Sequence, residues 1–226
     1  MRWNLVMIAA LGAAMMGCGS SPEKVVGERP SSPQPAATPS ADARPVIAAF
    51  GDSLSFGQGL DPGRPYPDVL QRLIDSAGYR YRMVNMGVSG DTTSDGVERL
   101  PSVLALHPAI VILEFGANDG LRGQPVSSVK ANLAVIIEAL QKAGVRVVLA
   151  GMTLPRNYGP EYIQSFDRLY VDLADRYKLV RIPFFLDGVG GHADLTQPDG
   201  LHPTARGTEI VAHTVMKYLQ PLLAKP

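Results

Sequence analysis

Ala109-Ile110-Val111-Ile112-Leu113-Glu114 holds five consecutive apolar side chains and reaches a charged one only at its end. Successive side chains of a strand point to opposite faces, so both faces of this segment are apolar. Such a strand belongs in a parallel sheet covered by helices on each side. Short apolar runs recur on either side of it, at Val46–Phe50 (ending at Gly51), Tyr81–Met86, Val145–Ala150 and Leu179–Ile182. Between them the period changes. Tyr66–Ala77 carries Val69, Leu70, Leu73 and Ile74 at helical spacing before Gly78. Pro125 opens a helix that runs to Ala143 ahead of Gly144. Tyr162–Tyr177 and about Thr204–Leu219 read as further helices, and Thr92–His107 as one that Pro101 should break or kink. Alternating strands and helices predict the α/β class: a three-layer α/β/α sandwich on a five-stranded parallel, flavodoxin-like sheet.

The 226 residues are 46% hydrophobic and 19% charged, which suits one core of ordinary size. Lys+Arg and Asp+Glu both number 21, so nothing in the charge balance favours nucleic acid as a partner. One cysteine excludes a disulfide framework and a cysteine-rich zinc site, and four histidines leave little room for a histidine-rich metal centre. No metal is expected, and nothing suggests an obligate dimer, so a monomer is expected.

The N-terminus reads as processing and tether. Arg2 precedes Leu5–Gly17, a 13-residue uncharged stretch. That is shorter than the roughly 20 residues of a membrane span and suits a signal-peptide core. It ends at Gly17-Cys18, with the chain's only cysteine. A small residue before such a cysteine resembles a bacterial lipoprotein signal, although Met15 stands where leucine is commonest. The resemblance implies a signal peptide over residues 1–17 and a lipid on Cys18; an ordinary secretory signal is the alternative. The stretch over residues 18–44 is rich in Pro, Ser and Ala and has no apolar periodicity, so it reads as an extended linker. The folded domain is then 45–226. The expected place is the cell envelope, facing the periplasm and anchored, with the outer membrane favoured.

In sheets of this kind the site lies beyond the carboxyl ends of the strands, near the switch in strand order. Four loops there carry candidate chemistry. Gly51-Asp52-Ser53-Leu54-Ser55 offers a displayed hydroxyl, though taken alone it also reads as a helix cap. In Ser89-Gly90-Asp91-Thr92-Thr93, Gly90 allows close approach of a backbone N–H, or only makes a turn. In Gly116-Ala117-Asn118-Asp119-Gly120, Asn118 can donate its amide to an anion, or only form a turn. In Asp199-Gly200-Leu201-His202-Pro203 the carboxylate can orient the imidazole. His192 with Asp194 is a rival pair that reads as a loop feature; His107 and His213 read as structural. Jointly the loops supply a nucleophile, oxyanion donors, a base and an orienting acid.

These four blocks, in this order, resemble the SGNH (GDSL) hydrolases over essentially all of Pro45–Pro226. Asn118-Asp119-Gly120-Leu121-Arg122-Gly123, Leu154-Pro155-Arg156-Asn157-Tyr158-Gly159 and Pro183-Phe184-Phe185 resemble the arylesterase, acyl-CoA thioesterase I and lysophospholipase branch. The resemblance implies hydrolysis of esters and thioesters through an acyl-enzyme without a cofactor. It implies Ser53 as nucleophile, His202 as base, Asp199 as orienter, and Ser53, Gly90 and Asn118 as the oxyanion hole. It further implies Asp119 and Leu121 beside the substrate. Ala117 departs from the glycine often found there, which could restrict the loop or narrow the cleft. A carbohydrate O-acetyl esterase of the envelope is the runner-up; a silent binding module on the same fold is a third reading.

Overall fold

The computed structural model describes residues 42–224. The signal peptide, Cys18 and all of the linker before residue 42 lie outside the described residues.

The five strands are β1 (Val46–Gly51), β2 (Arg82–Asn85), β3 (Ile110–Glu114), β4 (Arg146–Ala150) and β5 (Val180–Ile182). They form one sheet in the order β2-β1-β3-β4-β5, every pair parallel. The chain leaves β1 for β2 on one side and then crosses to β3 on the other. That reversal opens a crevice at the carboxyl ends of β1 and β3. The register sets Gly51 against Glu114, so the two strands end level at this crevice. All residues of β1 and β3 are buried, as their unbroken apolar runs require. The edge strand β2 is only partly buried.

Helices cover both faces. α2 (Tyr66–Ser76) packs on α7 (Ala205–Leu219) in one layer. α3 (Thr93–Leu104), α5 (Val126–Lys142) and α6 (Pro160–Tyr177) pack together in the other. α5 buries Val129, Leu133, Ile136, Ile137 and Leu140, one stripe at helical spacing. Each such side chain contributes about 1.5–3 kcal/mol on burial. Phe50 and Phe115 meet edge to face, with centroids 4.9 Å apart.

Two elements differ from the sequence expectation. α3 runs unbroken through Pro101, and Ala105 still donates its N–H to the Pro101 carbonyl. Pro101 leaves the Val97 carbonyl without its helical donor, and the helix ends within one further turn. The start of α3 is firmly held: Thr92 and Asp95 form a reciprocal capping box. Two segments read as loops contain short helices, α1 (Ser53–Phe56) after β1 and α4 (Ala117–Leu121) after β3.

Candidate active site

Ser53 is the first residue of α1, and the residue before it caps that helix: Asp52 Oδ1 accepts the Leu54 N–H at 3.0 Å. A side chain at Gly51 would collide with the Glu114 carboxyl and the Ser55 hydroxyl, so only glycine lets the turn close this tightly. Ser53 Oγ lies 2.8 Å from His202 Nε2. His202 Nδ1 lies 2.7 Å from Asp199 Oδ2. With Nδ1–H donated to the carboxylate, Nε2 is left as acceptor for the serine hydroxyl. Asp199 Oδ1 accepts the N–H groups of Leu201 (2.8 Å) and His202 (3.0 Å). Partial burial works to raise Asp199, but the His202 ring and these two N–H groups outweigh it and hold the carboxyl at about 2.

The His202 loop is stapled in place. Gln197 donates its backbone N–H to the His202 carbonyl at 2.7 Å. Its side-chain amide donates to the carbonyls of Gln58 (2.7 Å) and Pro203 (3.0 Å), joining this loop to the one that follows α1. The rival pair takes no part: neither His192 nor Asp194 lines the cleft. His107 ends the turn after α3 with φ +46°, and His213 lies within α7.

The second and third loops converge on Ser53. Gly90 has φ +87°, a conformation that favours glycine. Among the described residues, the backbone N–H groups of Ser53 and Gly90 donate to no protein acceptor. Asn118 lines the cleft, and its amide donates to Asp52 Oδ2 (3.1 Å) and to the Asp91 carbonyl (2.9 Å). Ala117 and Leu121 line the cleft as well. Asp119, expected beside the substrate, does not. It is buried, and its carboxylate accepts the N–H (2.9 Å) and hydroxyl (2.6 Å) of Thr93. An anion there satisfies an orphan donor at the start of α3, where the helix dipole favours it.

Arg99 was not singled out from the sequence, where a lone arginine in a helix reads as a solvated side chain. It donates to the Met86 carbonyl (2.9 Å), the Gly51 carbonyl (3.1 Å) and Asp91 Oδ2 (2.6 Å). Its guanidinium also lies 5.0 Å from the Phe50 ring centroid and 5.8 Å from that of Phe115. One side chain thus ties the strand end before Ser53 to the loop that carries Gly90.

The cleft has a volume of about 400 Å³. Leu121, Met152, Leu154, Pro155, Leu186 and Leu201 make it largely apolar, with Ser53 and His202 on its wall. A hydroxyl bonded to an imidazole, which a carboxylate orients in turn, is equipped to attack an acyl carbon.

Comparison with known proteins agrees with this geometry. The profile of the GDSL-like Lipase/Acylhydrolase family matches residues 49–210. Esterase TesA of Pseudomonas aeruginosa is 41% identical over 182 residues, covering 80% of this chain and 90% of that protein. Thioesterase 1/protease 1/lysophospholipase L1 of Escherichia coli K12 is 34% identical over 184 residues, 81% of this chain and 87% of that protein. A crystal structure of TesA superimposes with a TM-score of 0.77 at 41% identity, covering 79% of this chain and 99% of that one. The chain therefore belongs to the GDSL-like lipase/acylhydrolase family, the SGNH hydrolases, and is a carboxylic ester hydrolase.

Proposed function

We propose that the protein hydrolyses acyl esters and thioesters through an acyl-enzyme on Ser53. The observation that carries this reading is the unbroken chain from Asp199 through His202 to Ser53 Oγ. As Ser53 Oγ bonds to the acyl carbon, its proton passes to His202 Nε2, and Asp199 stabilises the imidazolium. The resulting oxyanion takes the unpartnered N–H groups of Ser53 and Gly90. Asn118 supplies the third donor by turning onto the oxyanion the N–H that now rests on the Asp91 carbonyl. His202 then protonates the departing alcohol or thiol as the C–O or C–S bond breaks. Water attacks the acyl-serine by the same route in reverse order, releasing the acid.

The acyl chain lies against Leu121, Leu154 and Leu186. Leucine, methionine and proline side chains make up most of the lining, and among the described residues it includes no Phe, Tyr or Trp on which a sugar ring could stack, which favours alkyl acyl groups over acetylated carbohydrate. Aryl esters, acyl-CoA and lysophospholipids are the substrate classes that fit. A chain-length series of p-nitrophenyl esters and acyl-CoA thioesters tests this. Turnover should favour medium acyl chains, whereas a preference for acetylated polysaccharide would overturn it.

We place the enzyme as a monomer in the cell envelope, anchored through a lipid on Cys18 and facing the periplasm. What supports the anchor is the sequence pattern ending at Gly17-Cys18. No helix among the described residues is long and apolar enough to cross a membrane. Metabolic labelling with a fatty acid should mark the wild type and not Cys18→Ser. Equal labelling of both would refute the anchor.

A further inference from the structure

Directly beneath Ser53 lie two carboxyl groups that no cation among the described residues balances. Asp52 and Glu114 are both fully buried. Glu114 Oε2 accepts the Asp52 N–H at 3.2 Å and the Ser55 hydroxyl at 2.9 Å. These donors stand on either side of Ser53 in sequence, so one carboxyl oxygen splints the turn that presents the hydroxyl. Glu114 Oε1 is buried and has no hydrogen-bond partner among the described residues. Asp52, by contrast, is satisfied as an anion: Oδ1 accepts from Leu54 and Oδ2 from Asn118.

Among the described residues neither carboxylate is within ion-pair distance of a cation. Arg99, from α3, spends its guanidinium on Asp91 and two carbonyls. From α2, Tyr66 Oη stands 3.4 Å from Ser55 Oγ, and burial keeps it protonated. From α6, Tyr170 donates to the Phe115 carbonyl and is likewise held protonated by burial. Asp119, on α4, is engaged with Thr93. His202 faces Asp52 and favours its ionised form, while Asp91 opposes it. An isolated buried charge is far more expensive than one unmet neutral group. Two adjacent buried carboxylates cannot both ionise cheaply.

We propose that Asp52 and Glu114 share a single negative charge, that the proton stays on Glu114, and that this neutral acid is a positioning residue for Ser53 and Asn118. The proposal rests on the esterase reading above for its catalytic consequence, not for the protonation itself. Burial and then the Asp52 charge raise Glu114 well above the usual carboxylate range. Burial raises Asp52 too, to about 6, against the pull of the Leu54 N–H, His202 and Glu114. With the charge confined to Asp52, its carboxylate fixes both the first turn of α1 and the Asn118 amide.

Infrared spectroscopy of the whole protein at pH 7 tests the protonation without reference to activity. The carbonyl stretch of a protonated carboxyl should appear in the wild type and vanish in Glu114→Gln. Its absence from the wild type, or its persistence in the variant, would overturn the proposal. Kinetics test the consequence. Glu114→Ala should lower kcat about tenfold or more with KM within about twofold, and Glu114→Gln should restore kcat to within about threefold. The acid limb of kcat/KM should stay put in Glu114→Gln, because the residue replaced carries no charge. A Glu114→Gln enzyme as impaired as Glu114→Ala, or with a displaced acid limb, would show that the charge itself is needed and end the proposal. Were the esterase reading wrong, Ser53→Ala would stay active while the infrared result stood.

Discussion

His202 Nε2 rests 2.8 Å from Ser53 Oγ across 149 positions of sequence. The sheet makes this possible by ending β1 at the crevice, and Gln197 holds the far partner there. Backbone and side-chain hydrogen bonds of the scaffold hold this pair together, so single-residue changes within the triad should act on chemistry more than on assembly.

Ser53→Ala removes the attacking oxygen and leaves the cap at Asp52 intact. Turnover of p-nitrophenyl esters should fall by about 10⁵-fold or more, with little change in melting temperature. A fluorophosphonate probe should label the wild type and not the variant. Wild-type turnover in the variant would remove Ser53 from the mechanism.

Asp199→Asn keeps the shape and loses the acceptor that selects the imidazole tautomer. A fall in kcat on the order of 10⁴ is expected. The wild-type carboxyl is held at about 2. A lowered acid contributes stability that is present above its unfolded value near 4 and is lost as pH falls through about 2. Urea unfolding should show a wild-type advantage over Asp199→Asn that is constant from about pH 5 to 8 and shrinks only in stronger acid.

Asn118→Ala takes away one oxyanion donor and one partner of Asp52. A loss on the order of 10²–10³ in kcat is expected. KM should change far less, because the ground-state carbonyl gains little from this amide. A KM effect larger than the kcat effect would assign Asn118 to substrate binding instead.

Asp119→Ala separates a helix cap from a substrate contact. Since the carboxylate binds Thr93 and does not line the cleft, stability should drop by about 1–3 kcal/mol while acyl-chain preference stays the same. Denaturant midpoints and the chain-length series measure the two separately.

Asp52→Asn should lower stability most in acid. The folded Asp52 carboxyl is raised to about 6 by burial. A raised acid contributes stability that is complete below its unfolded value near 4 and is lost as pH rises through about 6. The gap between wild type and variant should therefore narrow from pH 4 to 8 in parallel urea titrations. A gap that widened over that range would contradict the sign.

Much of this was legible in the sequence because it depends on local pattern. The apolar runs at Val46–Phe50 and Ala109–Glu114 announced a two-sided buried sheet, and Asp199 and His202 are close enough in the chain to be paired by inspection. What escaped depends on tertiary contact. Arg99 and Gln197 act through carbonyls of distant loops, and backbone acceptors leave no mark on composition. Asp119 was misplaced because its neighbours Asn118 and Leu121 do line the cleft, while the helical turn of α4 carries the aspartate to the other side.

The Arg99 guanidinium gathers Gly51, Met86 and Asp91 around one planar group, so the catalytic side of the mouth is a keystone joint. Among the described residues, no side-chain hydrogen bond ends on Met152, Thr153, Leu154 or Pro155 across from it. A campaign to retool the enzyme for other acids should therefore concentrate its library on that unbraced bank and leave the keystone untouched.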